Sequence, residues 1–328
     1  MKALMIGAGG IAHQHLKALK TLGTEIYGIY DLDPAKAAAL AAQYGTQAFS
    51  EIGDKLQNAD VIFLLTPPST RLAYLRQIAG KCRNVFMEKP LAITVEDALE
   101  MEKLEQEYDM NCMVGFTQRF REGYRLLKGL LDRGELGEIV QTVVVRIGPG
   151  PGSDGNLASS WRTDPDYVCG MSIESLSHDI DFVQSLAGEI VSVRGRTKGT
   201  VAQLAQFDNN SDAVLSFASG AIGSITCSWS SALAYTMKGI IGTRGTAFLT
   251  GDDIWDNTRL VFAGLDGSRK TIELSDIFNE GEGYLNEDRY FLTCIEKGQK
   301  PVCGIRTGRR VLEISRKILE TAAEDAMI

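Results

Sequence analysis

The sequence lacks any apolar run near the roughly 18 residues that a membrane-spanning helix needs, so no transmembrane segment is expected. Its six cysteines form no C-x-x-C pair, and none lies near a histidine at metal-ligand spacing. This pattern disfavours a metal site and predicts free, buried thiols in a reducing compartment. The N-terminus does not have the pattern of a secretory signal peptide, so a cytoplasmic location is expected.

Positive charge is also scarce, since 34 Lys and Arg residues face 42 Asp and Glu residues and the net charge is −8. An acidic chain repels phosphate backbones and anionic lipid surfaces, so neither nucleic acid nor a membrane is an expected partner. The composition, 44% hydrophobic and 23% charged, is that of a packed globular protein. The length of 328 residues fits two domains better than one.

The first third of the chain alternates short apolar segments with segments of helical periodicity. The predicted strands are Lys2–Ile6, Glu25–Tyr30, Val61–Leu65, Asn84–Met87 and Asn111–Val114. The predicted helices between them are Ile11–Leu22, Pro34–Tyr44, Ser69–Gly80 and Thr94–Tyr108. Strands without polar alternation are typical of parallel sheets buried on both faces. Residues 1–119 are therefore predicted to form an α/β domain with a doubly wound parallel sheet.

The pattern changes after about residue 120, where longer segments of β character follow a helix at Gln118–Arg133. The predicted strands are Ile139–Ile147, Ile190–Arg196, Ala213–Phe217, Ala221–Trp229, Met237–Gly242, Thr246–Leu249 and Arg259–Ala263, and the last helices are Tyr284–Lys297 and Arg306–Ala326. Residues 120–328 are therefore predicted to form an α+β domain with a large, mostly antiparallel sheet. The Gly-, Pro- and Ser-rich segment Gly148–Ser160 is expected to be a mobile loop or an arm.

A glycine-rich turn opens the chain with the spacing G-x-G-x-x-A, directly after the first strand and directly before the first helix. Gly7 permits the tight turn, Gly9 lets the backbone approach a pyrophosphate, and Ala12 lets the helix lie close to the strand. Gly10 and Ile11, inside the motif, belong to the same predicted dinucleotide site. The motif alone is weak, but its position between strand and helix strengthens it.

Asp31 supports this interpretation because it follows the second predicted strand, 22 residues after Gly9. A carboxylate there accepts hydrogen bonds from the ribose hydroxyls of adenosine and repels a 2′-phosphate. Neither Leu32, which is also predicted to contact the cofactor, nor Asp33 supplies positive charge for such a phosphate. The sequence therefore favours NAD over NADP.

Residues 173–187 have helical spacing with a polar stripe opposite an apolar one. The polar stripe contains Glu174, His178, Asp181 and Ser185. Such a stripe is usually a solvent-facing surface, so periodicity alone does not give His178 a catalytic role. The two other histidines, His13 and His15, lie in the first predicted helix and are interpreted as structural.

Five motifs occur in a characteristic order along the chain. They are the glycine-rich turn, Glu88-Lys89-Pro90, Gly115-Phe116-x-x-Arg119-Phe120, Trp161-Arg162, and the series Gly170, Glu174, His178 and Asp181. Together they resemble the glucose–fructose oxidoreductase, inositol dehydrogenase and rhizopine catabolism family over essentially the whole chain. The resemblance implies a Rossmann domain followed by an α+β domain whose open sheet makes a homodimer or homotetramer.

The resemblance also implies roles for particular residues. Lys89 matches the catalytic lysine, His178 the catalytic histidine, and Glu174 stands where many members have Asp. The residues implied to bind the cofactor are Thr66, Pro67, Glu88, Lys89, Gln118, Trp161 and Arg162. Two departures bear on the substrate: Arg71 stands where relatives often have His, and Cys169 precedes Gly170 in place of a more glycine-rich run.

The implied activity is an NAD-dependent dehydrogenase that oxidises a secondary hydroxyl of a sugar, a cyclitol or a related polyol. His178 acts as general base, Glu174 orients it, and Lys89 stabilises developing charge on the substrate oxygen. The nicotinamide accepts the hydride. Candidate substrate contacts, each of which could equally be a surface residue, are Arg119, Arg121, Asp154, Asn156, Arg162, Tyr235 and Tyr284.

Three alternatives remain open. A redox-assisted glycoside hydrolase retains its NAD and cleaves without net reduction. A non-enzymatic regulator binds nucleotide or sugar but has lost catalytic groups, and the presence of Lys89 and His178 argues against it. The third is reduction of a small carbonyl or an unsaturated ring, the reverse direction of the same chemistry.

Overall fold

A computed structural model of the chain describes residues 1–154, 170–202, 204, 207–274 and 282–325. The chain divides into two compact units, Met1–Thr117 with Glu280–Leu312, and Gln118–Asn279 with Glu313–Ile328. The sequence predicts a single boundary between residues 119 and 120. The structure differs because the chain returns to the first unit over Glu280–Leu312.

Within the described residues, the first unit contains a six-stranded sheet. Its strands are β1 (Lys2–Ile6), β2 (Glu25–Tyr30), β3 (Ala48–Phe49), β4 (Val61–Leu64), β5 (Asn84–Glu88) and β6 (Asn111–Gly115). Their order is β3-β2-β1-β4-β5-β6 and every neighbouring pair is parallel. This is the doubly wound arrangement, which confirms the predicted fold class of this part of the chain. Only the two-residue β3 has no counterpart among the predicted strands.

The second unit contains an eight-stranded sheet among the residues that the structure describes. Its strands are β7 (Ile139–Pro149), β8 (Ile190–Lys198), β9 (Asn210–Phe217), β10 (Ile222–Ser228), β11 (Ser230–Gly242), β12 (Gly245–Gly251), β13 (Arg259–Gly264) and β14 (Arg269–Glu273). The order is β14-β13-β12-β11-β7-β10-β9-β8, and β7 with β10 is its parallel pair. The predicted antiparallel sheet is confirmed, and β14 is an additional strand.

The helices follow the predicted positions closely. Their bounds are α1 (Gly10–Thr21), α2 (Pro34–Tyr44), α3 (Arg71–Ile78), α4 (Val95–Glu107), α5 (Glu122–Asp132), α6 (Met171–Glu174), α7 (Leu176–Ala187), α8 (Glu282–Glu296) and α9 (Ile305–Asp325). Short 3₁₀ turns occupy Gly53–Asn58, Pro68–Thr70 and Thr117–Phe120. None of the helices in the described part of the chain combines the length and apolarity needed to cross a bilayer.

Burial along the strands explains the two kinds of sheet. All of β4 is buried, as expected for a central parallel strand covered on both faces, and the edge strand β6 is buried throughout as well. By contrast, β9 alternates buried and exposed residues along most of its length. One face of the second sheet therefore packs against α5, α6 and α7, and the other is open. Five cysteines, Cys82, Cys112, Cys227, Cys294 and Cys303, are buried free thiols as predicted, and Cys169 lies outside the described residues.

Candidate active site

The glycine-rich turn joins β1 to α1 at the point where the strand order of the first sheet reverses. Gly7 has φ +107°, and a Cβ there would lie 2.9 Å from the carbonyl carbon of Leu65, so only glycine fits. At Gly9 and Gly10, a Cβ would meet no described atom within 4 Å. The α1 N-terminus has no side-chain cap and no acidic residue in its first turn. Its backbone N–H groups and open approach fit the pyrophosphate of a dinucleotide.

Asp31 lies at the carboxyl end of β2 and braces the same turn. One carboxylate oxygen accepts a hydrogen bond from the backbone N–H of Ala8 at 2.7 Å, and the other accepts from the N–H of Asp33 at 2.9 Å. Leu32 beside it is 75% exposed. The carboxylate is thus fixed next to the turn, in the place where a ribose is expected to bind.

Lys89 follows β5 directly, and its backbone is held by hydrogen bonds on both sides. Its N–H donates to the Glu88 carboxylate at 2.9 Å. The buried guanidinium of Arg71 donates to the carbonyls of Glu88 and Pro90, and its Nε donates to Thr66 at 2.9 Å. Arg71, a departure from the family pattern, therefore binds backbone of the loops that follow β4 and β5.

The Glu88 side chain also contacts a buried histidine of α1. His15 Nε2 lies 3.3 Å from Glu88 Oε1, and its Nδ1 lies 2.9 Å from Asp288 Oδ1 on α8. Burial opposes the charge of His15, but the two carboxylates outweigh it and raise its pKa to about 10. We therefore interpret His15 as a structural residue whose buried ring is an imidazolium. Its carboxylate partner Asp288 lies in the returning segment, which no sequence motif marks.

In the second unit, the helix that carries His178 is interrupted. Glu174 ends the short α6, Ser175 joins it to α7 with its backbone still in the right-handed helical region, and His178 lies in the first turn of α7. The start of α6 is fixed by Asp208, which accepts from the N–H and hydroxyl of Ser172 at 3.0 and 2.6 Å. The helical spacing predicted from Glu174 onward is present, with a local irregularity at Ser175.

Glu174 and His178 are buried, with exposures of 7% and 8%. The polar stripe is consequently not a solvated surface. The His178 ring meets Trp255 edge to face, with ring centroids 6.2 Å apart. The imidazole of His178 therefore lies next to an indole and is shielded from bulk water.

Two arginines form ion pairs with aspartates of α7. Arg119 forms a two-pronged pair with Asp181 at 2.7 and 2.6 Å. Arg146 on β7 pairs with Asp179 at 2.6 Å and also donates to the carbonyl and hydroxyl of Ser175. Arg119 is a candidate substrate contact from sequence, but in the structure its guanidinium binds Asp181. Arg146 and Asp179 were missed, although an Arg in an inward strand position next to an apolar run is a usable signal.

Gln118 accepts a hydrogen bond from Lys238 Nζ at 3.0 Å. Lys238 lies on the covered face of β11 and is 2% exposed, above the ring of Phe182 at 5.2 Å. Burial lowers its pKa to about 8. Lys238 was not predicted as a site residue, although a lysine at an inward-facing strand position is a usable sequence signal.

The other candidate residues are placed as follows. Arg121 donates to the Trp255 carbonyl and pairs with Asp256 at 2.9 Å. Tyr235 is half-buried and pairs with Ile147 across β11 and β7, whereas Tyr284 packs edge to face on His15 in the first unit. Asp154 is exposed, and Asn156, Trp161 and Arg162 lie outside the described residues.

The parallel sheet with its glycine-rich turn, together with the loops after β4 and β5, defines a dinucleotide-binding protein of the Rossmann class. Residues 1–116 match the model of an oxidoreductase family with an NAD-binding Rossmann fold, and residues 124–248 match the GFO/IDH/MocA C-terminal domain. The chain belongs to this GFO/IDH/MocA family of oxidoreductases.

Among curated relatives, glucose-6-phosphate 3-dehydrogenase of Bacillus subtilis is 30% identical over 43% of this chain and 40% of its own length. The scyllo-inositol 2-dehydrogenase (NAD(+)) of the same organism is 25% identical over 92% of this chain and 88% of its own. Levoglucosan dehydrogenase in complex with NADH is similar in structure, with a TM-score of 0.90 at 20% identity, over 99% of this chain and 97% of that one. At that identity the structural similarity shows the fold.

Proposed function

We propose that the protein is an NAD-dependent dehydrogenase that oxidises a secondary ring hydroxyl of a sugar or cyclitol. The proposal depends most on one observation. Lys89 and His178, the two groups proposed to handle protons, both lie in fixed surroundings. The backbone of Lys89 is held at the end of β5, and His178 is buried in a helix anchored by two arginine–aspartate pairs. A regulator that had lost catalysis would have no need to maintain either group.

Oxidation of the alcohol removes a proton from the hydroxyl oxygen and a hydride from the carbon that bears it, and that carbon becomes a carbonyl. His178 takes the proton as general base, because its ordinary pKa of roughly 6.5 suits proton transfer near neutrality. Glu174 orients the imidazole and stabilises its charged form. Lys89 donates a hydrogen bond to the substrate oxygen as negative charge develops there.

The residues of the glycine-rich turn fit a dinucleotide, with the pyrophosphate at the α1 N-terminus and a ribose at Asp31. A nicotinamide nucleotide bound there supplies the acceptor for the hydride. Thr66, Pro67, Glu88 and Gln118, with Trp161 and Arg162 of the undescribed segment, are proposed to complete its site. The Asp31 carboxylate favours NAD, because a 2′-phosphate beside it would be repelled.

The substrate class is proposed from the relatives. Their names describe oxidation at numbered positions of glucose 6-phosphate and scyllo-inositol, and dehydrogenation of levoglucosan. These compounds share a saturated six-membered ring with several secondary hydroxyls. A ring of this kind is the proposed substrate.

The open face of the second sheet is proposed to bind a second copy of the chain. Val214, Ile222 and Val261 share this face and are 61%, 54% and 40% exposed. Apolar side chains in one patch on a sheet face favour association. A homodimer or homotetramer through this face is therefore proposed.

The experiment follows the absorbance of reduced nicotinamide while the protein meets NAD or NADP with a panel of compounds. The panel contains myo-inositol, scyllo-inositol, glucose, glucose 6-phosphate, levoglucosan and aryl glycosides. Reduction of NAD by a ring alcohol supports the proposal. Release of an aryl group without net reduction would favour the redox-assisted hydrolase, and binding without any reaction would favour the regulator.

A further inference from the structure

His15 is a fully buried titratable group of the first unit that the proposed reaction leaves without a role. It is 0% exposed and lies among the rings of Phe63, Phe86 and Tyr284, with centroids 5.4, 4.8 and 5.4 Å from its own. An apolar cage of this kind disfavours a charged imidazole. The ring nevertheless contacts two carboxylates, which favour its charged form.

The carboxylates that face His15 come from two elements. Glu88 ends β5, and Asp288 lies on α8. Next to Asp288 is Glu287, which accepts a hydrogen bond from the Thr117 hydroxyl at 3.3 Å. Burial, then the neighbouring charge of Glu88, raises the pKa of Glu287 well above its ordinary value. One imidazolium thus lies between two carboxylates, Glu88 and Asp288.

Glu88 connects His15 to Lys89 by a short path. One of its carboxylate oxygens contacts His15 Nε2, and the other accepts from the Lys89 N–H at 2.9 Å. Gly115 on the adjacent β6 leaves room for this carboxylate, since a Cβ there would lie 3.2 Å from Glu88 Oε1. The side chain of Glu88 is therefore confined between the imidazole and the lysine backbone.

We propose that His15 is a positioning residue for Lys89 and acts through Glu88, with Asp288 as its anchor. The inference rests on the proposed function of Lys89. The imidazolium keeps Glu88 oriented with one oxygen toward the Lys89 N–H, and this fixes the point from which the lysine side chain leaves the backbone. Without the cation, Glu88 would be a buried charge without its counter-charge and would turn away or take up a proton.

The test is a double-mutant cycle with the panel compound that is oxidised fastest. His15→Gln is expected to lower kcat by about 10- to 100-fold, because a small misplacement of a catalytic group has effects of that order. In a Lys89→Ala background, the same substitution is expected to change the residual kcat by less than about twofold. An equal loss in both backgrounds would overturn the inference, as would a wild-type kcat in His15→Gln.

A second measurement separates positioning from a general structural role. His15 lies on α1, directly after the proposed dinucleotide turn, so loosening of that helix would weaken NAD binding. Calorimetric titration of NAD into His15→Gln is expected to give a Kd within about twofold of wild type. A weakened Kd with an unchanged kcat would overturn the inference. A wild-type kcat in Lys89→Ala itself would instead refute the proposed function, and the inference with it.

Neighbouring carboxylates on α8 provide a matched pair of variants. Asp288→Asn removes the anchor of His15 and is expected to lower kcat as His15→Gln does. Glu287→Gln keeps the shape of a neighbouring side chain that bonds Thr117, and it is expected to leave kcat unchanged. Equal effects of the two variants would contradict the specific path through His15.

The charge of His15 can be observed in the unmodified protein. The chain has three histidines, so ¹⁵N-histidine labelling gives few signals, and His13→Gln and His178→Gln assign them by elimination. Both ring nitrogens of His15 are expected to remain protonated at pH 8. A neutral His15 ring at that pH would overturn the inference even if no His15 variant folds.

Discussion

At the scale of the residue, the interior of this protein holds charged side chains in pairs. His15 with Asp288 and Arg146 with Asp179 are buried, Arg119 with Asp181 is largely buried, and each pair joins two different elements. A buried charge is tolerated only when its partner and hydrogen bonds compensate for lost hydration. The first pair is connected to Lys89 through Glu88, and the other two bind the helix that carries His178. Lys89 and His178 are the residues for which precise orientation matters most.

Removal of either proton-handling group should abolish most turnover. His178→Ala removes the proposed base and Lys89→Ala the proposed hydrogen-bond donor, and each is expected to lower kcat by ~10² or more. Neither side chain is proposed to hold the adenosine or pyrophosphate, so NAD affinity should change little. Steady-state kinetics and NAD titration of both variants check this, and wild-type rates in either would contradict its role.

The pH dependence of stability should report on His15. Its folded pKa of about 10 lies above the ordinary value of 6.5, so the folded protein binds this proton more tightly than the unfolded chain. The stabilisation is complete below pH 6.5 and is lost as pH rises toward 10, at up to roughly 1.4 kcal/mol per pH unit. Lys238 has the opposite sign, since its pKa is lowered to about 8 and stability rises from there toward pH 10.5.

Because both groups titrate in the alkaline range, the variant must be compared with wild type. Urea unfolding of wild type and His15→Gln from pH 6 to 10 should give a steeper fall with pH for wild type. Lys238 contributes equally to both proteins and cancels in the difference. Parallel curves would show that His15 is not charged in the fold.

At the scale of the element, α7 illustrates how a motif gains meaning from its surroundings. Periodicity alone cannot distinguish a solvated stripe from a buried one, because both have polar residues three and four apart. The difference arises from Arg119 and Arg146, which are distant in sequence and satisfy Asp181 and Asp179. The irregularity at Ser175 was equally invisible, because the Arg146 guanidinium that binds its carbonyl comes from β7.

Arg146 should therefore be the main anchor of α7. Arg146→Met leaves Asp179 buried without its cation and should lower the free energy of unfolding by about 3–5 kcal/mol. Arg125→Met, at an exposed position of α5 in the same unit, is the matched control and should change it by less than about 0.5 kcal/mol. Urea denaturation measures both, and similar values for the two variants would contradict the anchoring role.

At the scale of the whole molecule, the prediction of fold from sequence was strongest for long, regular patterns. The bounds of β1, β2 and α2 agree to the residue, because buried strands and an Asp-Pro helix start leave strong local signals. The two-residue β3 and the return of Glu280–Leu312 to the first unit leave none, because each depends on distant contacts. For the same reason the motifs included Lys89 and His178 but not Arg146, Asp179 and Asp288, which support them from distant parts of the chain or through such partners.

Self-association should depend on the open face of the second sheet. Val214→Lys places a charge on this face and is expected to shift the protein toward a smaller species in sedimentation velocity. Leu265→Lys, at a site 80% exposed in the turn between β13 and β14, is the control and should leave the distribution unchanged. An unchanged distribution in Val214→Lys would place any oligomer contact elsewhere.

Transfer of hydrogen from substrate carbon to nicotinamide is the central claim, and isotope transfer tests it most directly. The panel compound oxidised fastest would be supplied with deuterium on every ring carbon, and the nicotinamide product isolated for mass spectrometry. Direct hydride transfer predicts one deuterium in each reduced nicotinamide formed, and loss of that product in His178→Ala. Turnover of the compound without deuterated nicotinamide among the products would contradict it.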